Sequence, residues 1–184
     1  MVEPSTLTQV EILEGLTAKQ LEHIAAISHE VEYSQGAMIF RENMPGDNMY
    51  IVLDGEVEIQ VDPRILGADL PTDSKPEPIT VIRRGQSFGE VALVDEGVRS
   101  ASALCASERA HLLAIPREAF LQVCQKYPAI GYRVMFNVAA DLAGRIRTTD
   151  FMLRGRLLVG PICIKLSLLS RAGADRYGAV PCVC

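Results

Sequence analysis

Hydrophobic positions follow a helical period at both ends of the chain and a strand period between them. Thr17–Gln20 has the Ser/Thr-x-x-Glu/Gln form of a capping box. Apolar side chains follow it at helical spacing, namely Leu21, Ile24, Ala25 and Ile27. The helical period returns at Pro116 and continues from Pro128 towards Arg154. We therefore expect a helical segment over 1–30 and a long C-terminal helix over 128–158.

The middle of the chain, residues 31–127, has the pattern of short strands separated by turns. Asp54-Gly55 lies between two apolar runs, which predicts a β-hairpin with a type I′ turn. After this turn, Val57, Ile59 and Val61 alternate with polar residues. Further strands are predicted in ITVIRR, RSASALCA and RAHLLAI, and a Pro-rich polar loop at 62–78. Several short strands at even spacing indicate a closed or sandwiched β unit.

The long C-terminal helix carries an apolar seam with steps of three or four residues. Its members are Met135, Val138, Leu142, Ile146, Leu153 and Leu157, with Thr149 interrupting them. This spacing is typical of a buried or self-associating face, so we predict a homodimer formed through this helix. Residues 159–184 are poorly patterned and are treated as an appended, partly disordered tail.

Composition narrows the classes of function. The formal net charge is -5 and no basic run is present, which argues against non-specific nucleic-acid binding. The five cysteines are odd in number and have no framework spacing, so we expect reduced thiols. The start lacks the pattern of a signal peptide, and no apolar run reaches the roughly 18 residues of a membrane helix. We predict a cytoplasmic protein without a membrane span.

The candidate chemistry lies in FGEVALVDEGVRSASA, residues 88–103. Gly89 allows a backbone to approach a ligand closely, and a short helix starting near Glu90 offers free N–H groups to an anion. The fork of Arg99 matches two phosphate oxygens, and the Glu90 carboxylate suits a hydroxyl group. The stretch therefore predicts a site for a phosphate beside a sugar hydroxyl. An internal Glu90–Arg99 salt bridge explains the same spacing, and spacing alone leaves both interpretations open.

The same stretch resembles the phosphate-binding cassette of the cyclic-nucleotide-binding domain family, which includes catabolite activator proteins and the regulatory subunits of cyclic-AMP-dependent kinase. The matching residues are Phe88, Gly89, Glu90, Ala92, Leu93, Arg99, Ala101 and Ser102. The resemblance extends over about residues 8–155 and includes the Pro-Gly-Asp turn at Pro45. It implies an α+β fold: a β jelly-roll (double-stranded β-helix) barrel flanked by N-terminal helices and a long C-terminal helix.

The resemblance also implies roles for individual residues. Arg99 would pair with the cyclic phosphate, and Glu90 would accept from the ribose 2′-OH. The other ligand-binding residues implied are Phe88, Gly89, Val91, Ala92, Ser100 and Ala101. AGRIRTTD is similar to the base-contacting segment of the activator proteins, which implies that Thr148, Thr149 or Asp150 lies near the base. A polar residue within a dimer seam remains the alternative for Thr149.

The predicted function is a cyclic-nucleotide sensor that is not an enzyme, uses no cofactor or metal, and responds through its C-terminal helix. Ser100 favours cyclic AMP (cAMP) over cyclic GMP (cGMP), since the resemblance associates Thr at this position with cGMP. Two departures from the family pattern are Val98 and the long loop at 62–78. Neither falls on an implied contact. The downstream protein partner is not indicated by the sequence.

Three alternatives are weighed, and the first two are kept. The first is a ligand-free interaction module of the same fold, and the second is a truncated Crp/Fnr-type transcription regulator. Direct DNA binding is disfavoured, because a helix-turn-helix domain needs roughly 60 to 80 residues and the segment after the long helix is shorter. The third is a metal enzyme of the cupin type, which shares the jelly roll. His23 and His29 precede the barrel and His111 stands alone, so the histidines do not form the cluster that a cupin needs.

Overall fold

The computed structural model describes residues 3–62, 75–94 and 97–172, with only the backbone described for Ala92, Leu93 and residues 156–172. The chain divides into two compact units, Met1–Ala139 and Ala140–Cys184. The first unit begins with 3₁₀ segments at Pro4–Gln9 and Glu11–Leu13. The helices are α1 (Ala18–Ile27), α2 (Val91–Val94), α3 (Arg117–Lys126) and α4 (Pro128–Ala172), and α4 continues into the second unit.

Eight described strands form two antiparallel sheets of four. The strands are β1 (His29–Ser34), β2 (Met38–Phe40), β3 (Asn48–Asp54), β4 (Val57–Val61), β5 (Glu77–Ile82), β6 (Ser87–Phe88), β7 (Ser102–Cys105) and β8 (Arg109–Pro116). One sheet has the order β1-β8-β3-β6 and the other β2-β7-β4-β5. A buried cluster with residues from both sheets forms the core, including Val52, Val57, Phe88, Ala103 and Leu112. The predicted α+β jelly-roll barrel with flanking helices is confirmed.

The Asp54-Gly55 turn does not form the predicted hairpin. β3 pairs with β8 and β6, whereas β4 pairs with β5 and β7, so the chain changes sheets at this turn. Gly55 has a φ of +85°, and a Cβ atom there would clash with the carbonyl oxygen of Arg109. The prediction was wrong because an Asp-Gly pair between apolar runs has the same local pattern at a hairpin and at a corner between sheets.

The capping box at the start of α1 is confirmed. The Gln20 backbone N–H donates to Oγ1 of Thr17 at 3.4 Å, and the Thr17 N–H donates to Oε1 of Gln20 at 2.9 Å. α1 ends at Ile27, so His29 and Glu30 belong to β1 rather than to the predicted helical segment. β1 was missed because its side chains are exposed or half-buried, which leaves a weak apolar alternation in the sequence.

Helix α4 begins at Pro128 as predicted but extends to Ala172, beyond the predicted end at 158. The helix thus runs through Gly160 and Pro161, and the sequence around them is rich in apolar helix formers. In the first unit, Val138 of the predicted seam is buried together with Ile130 and Val134. In the second unit, Ile146 and Leu153 are exposed. The homodimer stays a prediction.

Other predictions fall partly outside the described residues. Most of the loop at 62–78 and residues 173–184 of the tail lie there. Cys105 and Cys124 are free thiols, whereas the other three cysteines have no described side chains. No helix in the described part of the chain is both long enough and apolar enough to cross a bilayer. Over the same residues, no group of three His, Cys, Asp or Glu side chains is arranged to hold a metal ion.

Candidate ligand-binding site

The site is built around Arg99, which is only 5% exposed to solvent. Its backbone is held by the β2–β3 loop, residues 41–47. The Arg99 N–H donates to the carbonyl of Met44, and the Asn43 N–H donates to the carbonyl of Arg99, both at 2.8 Å. Asn43 adopts a φ of 64° to make this turn. The loop and the arginine are thus fixed to each other at two points.

The Arg99 guanidinium points inwards to two backbone carbonyls. Nη1 donates to the carbonyl of Gly89 at 3.1 Å, and Nη2 donates to the carbonyl of Asn48 at 2.6 Å. The third nitrogen, Nε, is buried and has no hydrogen-bond partner among the residues that the structure describes. Because an unsatisfied buried donor is costly, this N–H is available to an acceptor that enters the site.

Gly89 directly follows β6 and makes the close approach of Arg99 possible. Its φ is +75°, and a Cβ atom at this position would lie 2.5 Å from Nη1 of Arg99. The same atom would lie 3.4 Å from the carbonyl of Asn48. A side chain here would therefore strain the backbone and displace the guanidinium, so glycine is needed for two separate reasons.

Glu90 follows Gly89 and is 1% exposed, immediately before α2. Burial lowers the pKa of the Arg99 guanidinium below its ordinary value. Three nearby groups act against that shift, namely Tyr50, Asp47 and Glu90. The structure therefore brings Glu90 and Arg99 close enough for their charges to interact. Both interpretations of the pair, as a ligand site and as an internal ion pair, are compatible with this arrangement.

Two aromatic rings lie against the guanidinium, those of Phe40 and Tyr50, and the ring of Phe88 packs against both. The ring centroids of Tyr50 and Phe88 are 5.3 Å apart, and Phe40 lies 6.0 Å and 5.8 Å from them. The Arg99 Cζ atom is 4.1 Å from the centroid of Phe40. Phe88 was among the predicted site residues, whereas Phe40 and Tyr50 were not.

The remaining predicted residues have different surroundings. Val91 and Ala101 are half-buried and Ser100 is exposed, all within or beside the cassette. Ala92 lies in α2, and its side chain is outside the described part. Thr148 and Thr149 lie on α4 in the second unit, where their hydroxyls donate to the carbonyls of Gly144 and Arg145. Their predicted contact with a base stays a prediction.

Two parts of the site were missed by the sequence analysis. The carbonyl of Asn48 holds the guanidinium, and Phe40 lies against its face, although both are more than 50 residues before Arg99. Backbone carbonyls leave no signal in side-chain patterns. Phe40 has the apolar character of any core residue in a strand, so only its place at the end of β2, before the Pro-Gly turn, could have pointed to it.

Comparison with known proteins places this geometry in context. The family model described as "Cyclic nucleotide-binding domain" matches residues 30–127. The Cyclic AMP receptor protein of Thermus thermophilus is 32% identical over 142 residues, which are 77% of this chain and 60% of that protein. The cGMP-dependent protein kinase egl-4 of Caenorhabditis elegans is 27% identical over 114 residues, which are 62% of this chain and 14% of the kinase.

Solved structures agree with the same fold. The crystal structure of the Thermus thermophilus Catabolite Activator Protein superimposes with a TM-score of 0.64 at 29% identity. The match covers 78% of this chain and 62% of that one. The chain thus spans less than two thirds of the length of each of these relatives.

Proposed function

Because this chain belongs to the cyclic nucleotide-binding domain family, we propose that it is a sensor for a cyclic nucleotide, with cAMP as the ligand. The family supports a regulatory, ligand-binding role for the domain. The choice of nucleotide and the roles of individual residues are our own inference from the site. We infer that the phosphate binds at Arg99 and the ribose at Glu90.

The observation that carries the proposal is the hydrogen bonding of the buried Arg99 guanidinium. Two of the five guanidinium N–H donors are used by the carbonyls of Gly89 and Asn48, and within the described part of the chain the buried Nε–H has no partner. A guanidinium that is fixed, desolvated and still has donors available is well suited to an anion, because little reorganisation is needed on binding. A cyclic phosphate supplies both the negative charge and the acceptor oxygens.

Glu90 supports the sugar half of the proposal. Its carboxylate is buried and lies one residue from the carbonyl that positions Arg99. An ionised carboxylate only accepts hydrogen bonds, so it fits a 2′-hydroxyl and repels a second phosphate. The separation of one acidic and one basic group within the same site would orient the nucleotide with its phosphate at Arg99.

The preference for cAMP rests on Ser100 and on the named Thermus relative. Ser100 is exposed beside Arg99, and the resemblance to kinase-type domains associates threonine there with cGMP. The relative with 32% identity is named as a cyclic AMP receptor protein. The kinase relative is named for cGMP, which makes cGMP the competing ligand for this site.

We also propose that the response passes through α4, with Thr148 or Thr149 at the base, and reaches a second copy or a separate protein partner. Ligand binding can shift such an equilibrium only by its difference in affinity for the two states. The proposal therefore requires a measurable change in α4 on binding. A spin label or fluorophore on this helix, read with and without ligand, would detect it.

Isothermal titration calorimetry against cAMP, cGMP and 5′-AMP tests the function directly. We expect cAMP to bind best, cGMP more weakly and the non-cyclic 5′-AMP weakest. A thermal shift should rise with ligand concentration, since binding to the folded state alone stabilises it by mass action. Failure of both cyclic nucleotides to bind or to raise the melting temperature at millimolar concentration would contradict the proposal and favour the ligand-free interaction module.

A further inference from the structure

Phe40 lies face to face with the cation of the site. The Cζ atom of Arg99 is 4.1 Å from the centre of the Phe40 ring and 5.9 Å from that of Tyr50. A guanidinium within about 6 Å of a ring centroid is attracted by the negative face of the ring, and more strongly when water is excluded. The 5% exposure of Arg99 meets that second condition.

The ring of Phe40 is itself held in place. It ends β2, where Phe40 pairs with Ala103 of β7, and it packs against the rings of Tyr50 and Phe88. Tyr50 and Phe88 are paired across β3 and β6 and stack on each other. The ring under the guanidinium therefore rests on a pair of buried rings from the opposite sheet, which limits its motion.

A ring face stabilises the buried cation in a different way from a carboxylate. A carboxylate would occupy the N–H donors of Arg99 and neutralise its charge, and would then compete with a phosphate. The guanidinium N–H groups lie in the plane of the group, whereas an aromatic ring contacts only its face. The ring therefore leaves the N–H groups along the guanidinium edge free to bind a phosphate. The two carbonyls fix the Nη1 and Nη2 ends, and the ring fixes the plane.

We propose that Phe40 is a positioning residue for ligand binding, which holds the Arg99 guanidinium flat so that its Nε–H edge meets the phosphate of the ligand. This inference rests on the proposed function, since it assigns Phe40 a part in that same site. Phe40 acts only through Arg99 and needs no contact with the nucleotide. An aliphatic residue of similar size would fill the space but would not orient the cation.

The binding test compares Phe40→Leu, Phe40→Tyr and the control Phe120→Leu. Phe120 lies in α3, is fully buried and has no contact with Arg99 among the described interactions, so it reports the general effect of losing a core ring. We expect Phe40→Leu to weaken cAMP binding about 5- to 30-fold and Phe40→Tyr by no more than about 3-fold. Phe120→Leu should bind as the unmodified protein does.

The dependence on Arg99 is tested by repeating the comparison in an Arg99→Lys background. There the planar cation is absent, so Phe40→Leu should change affinity by less than about 2-fold. Equal binding by Phe40→Leu and the unmodified protein would overturn the positioning role alone. Absence of any cyclic-nucleotide binding by the unmodified protein would overturn both this role and the proposed function, so the two failures are distinguishable.

A measurement without ligand completes the test if Phe40→Leu folds poorly. In the unmodified protein, the Arg99 side-chain protons lie over a ring and should show a ring-current shift in ¹⁵N-edited NMR spectra. The shift should persist in Phe40→Tyr. Arg99 resonances at ordinary positions in both proteins would overturn the proposal.

Discussion

Gly89 and Gly36 share the same backbone φ of +75°, but of the two only Gly89 has a guanidinium where a Cβ atom would lie. No atom of the residues that the structure describes lies within 4 Å of a Cβ atom placed on Gly36. Substituting each glycine by alanine therefore separates two free-energy costs. Gly36→Ala measures the cost of a side chain on a left-handed backbone, and Gly89→Ala adds the cost of displacing Arg99.

We predict that Gly36→Ala lowers the free energy of unfolding by about 1 to 2 kcal/mol, the cost of placing a side chain at positive φ. Gly89→Ala should lower it by more and should also weaken cAMP binding, because the new Cβ atom displaces Nη1 of Arg99. Urea unfolding and calorimetry on both variants give the comparison. Equal effects on binding from the two substitutions would show that the contact at Gly89 does not position Arg99.

Arg99 itself should be the largest single contributor to affinity. Arg99→Ala removes a buried charge and its donors, and we expect it to weaken cAMP binding by about 2 to 5 kcal/mol. Arg99→Lys keeps the charge but loses the planar fork, so it should recover only part of that loss.

The control for Arg99 is Arg83→Ala. Arg83 forms an ion pair with Glu56 at 3.0 Å, and its side chain is 64% exposed. Losing an exposed pair changes stability little, and we expect ligand affinity to stay unchanged. Calorimetry in which Arg99→Ala binds cAMP as well as Arg83→Ala does would remove Arg99 from the site.

Glu90 is tested with a ligand that lacks its proposed partner. Glu90→Gln should bind cAMP more weakly, because a neutral amide is a poorer acceptor than a carboxylate for the 2′-hydroxyl. With 2′-deoxy-cAMP the hydroxyl is absent, so the two proteins should bind nearly equally. If Glu90→Gln weakens both ligands to the same extent, Glu90 acts as an internal partner of Arg99 and does not contact the ribose.

The part of the site that lies within one short stretch of sequence was predictable. The part contributed by residues far from that stretch in sequence was not. Gly89, Glu90 and Arg99 lie within eleven consecutive residues, and their side chains are of types that suggest an anion site. The structure brings these three close to one another. The ring of Phe40 and the carbonyl of Asn48 belong to β2 and β3, more than 50 residues earlier in the chain, and only the sheet topology places them against Arg99.

The same distinction applies to the fold. The capping box at Thr17 was predictable because its two hydrogen bonds join residues three positions apart. The turn at Gly55 was not, because its conformation is decided by a carbonyl of β8 more than 50 residues away. Local sequence gives the same signal for a hairpin and for a change of sheet, so the partner strand decides between them.

The final prediction concerns Tyr33, which links the barrel wall to the ring cluster. Burial raises the pKa of the Tyr33 phenol above its usual 10.0, and charge and hydrogen-bond interactions with Tyr50 raise it further. The raised pKa means that the neutral phenol is favoured in the folded state. Its contribution to stability is therefore complete below about pH 10 and is lost as the pH rises from there towards the folded-state pKa, since the unfolded chain ionises first.

Tyr33→Phe should remove the part of the pH dependence of stability that comes from the Tyr33 phenol. At neutral pH we expect the variant to be less stable by about 1 kcal/mol, because the hydrogen bond with Tyr50 is lost. As the pH rises above about 10, the unmodified protein should lose stability faster than the variant, and the difference between them should narrow. Urea unfolding of both proteins from neutral pH to about pH 11 measures this gap. A gap that stays constant, or widens, would mean that the Tyr33 phenol is no harder to ionise in the folded protein than in the unfolded chain.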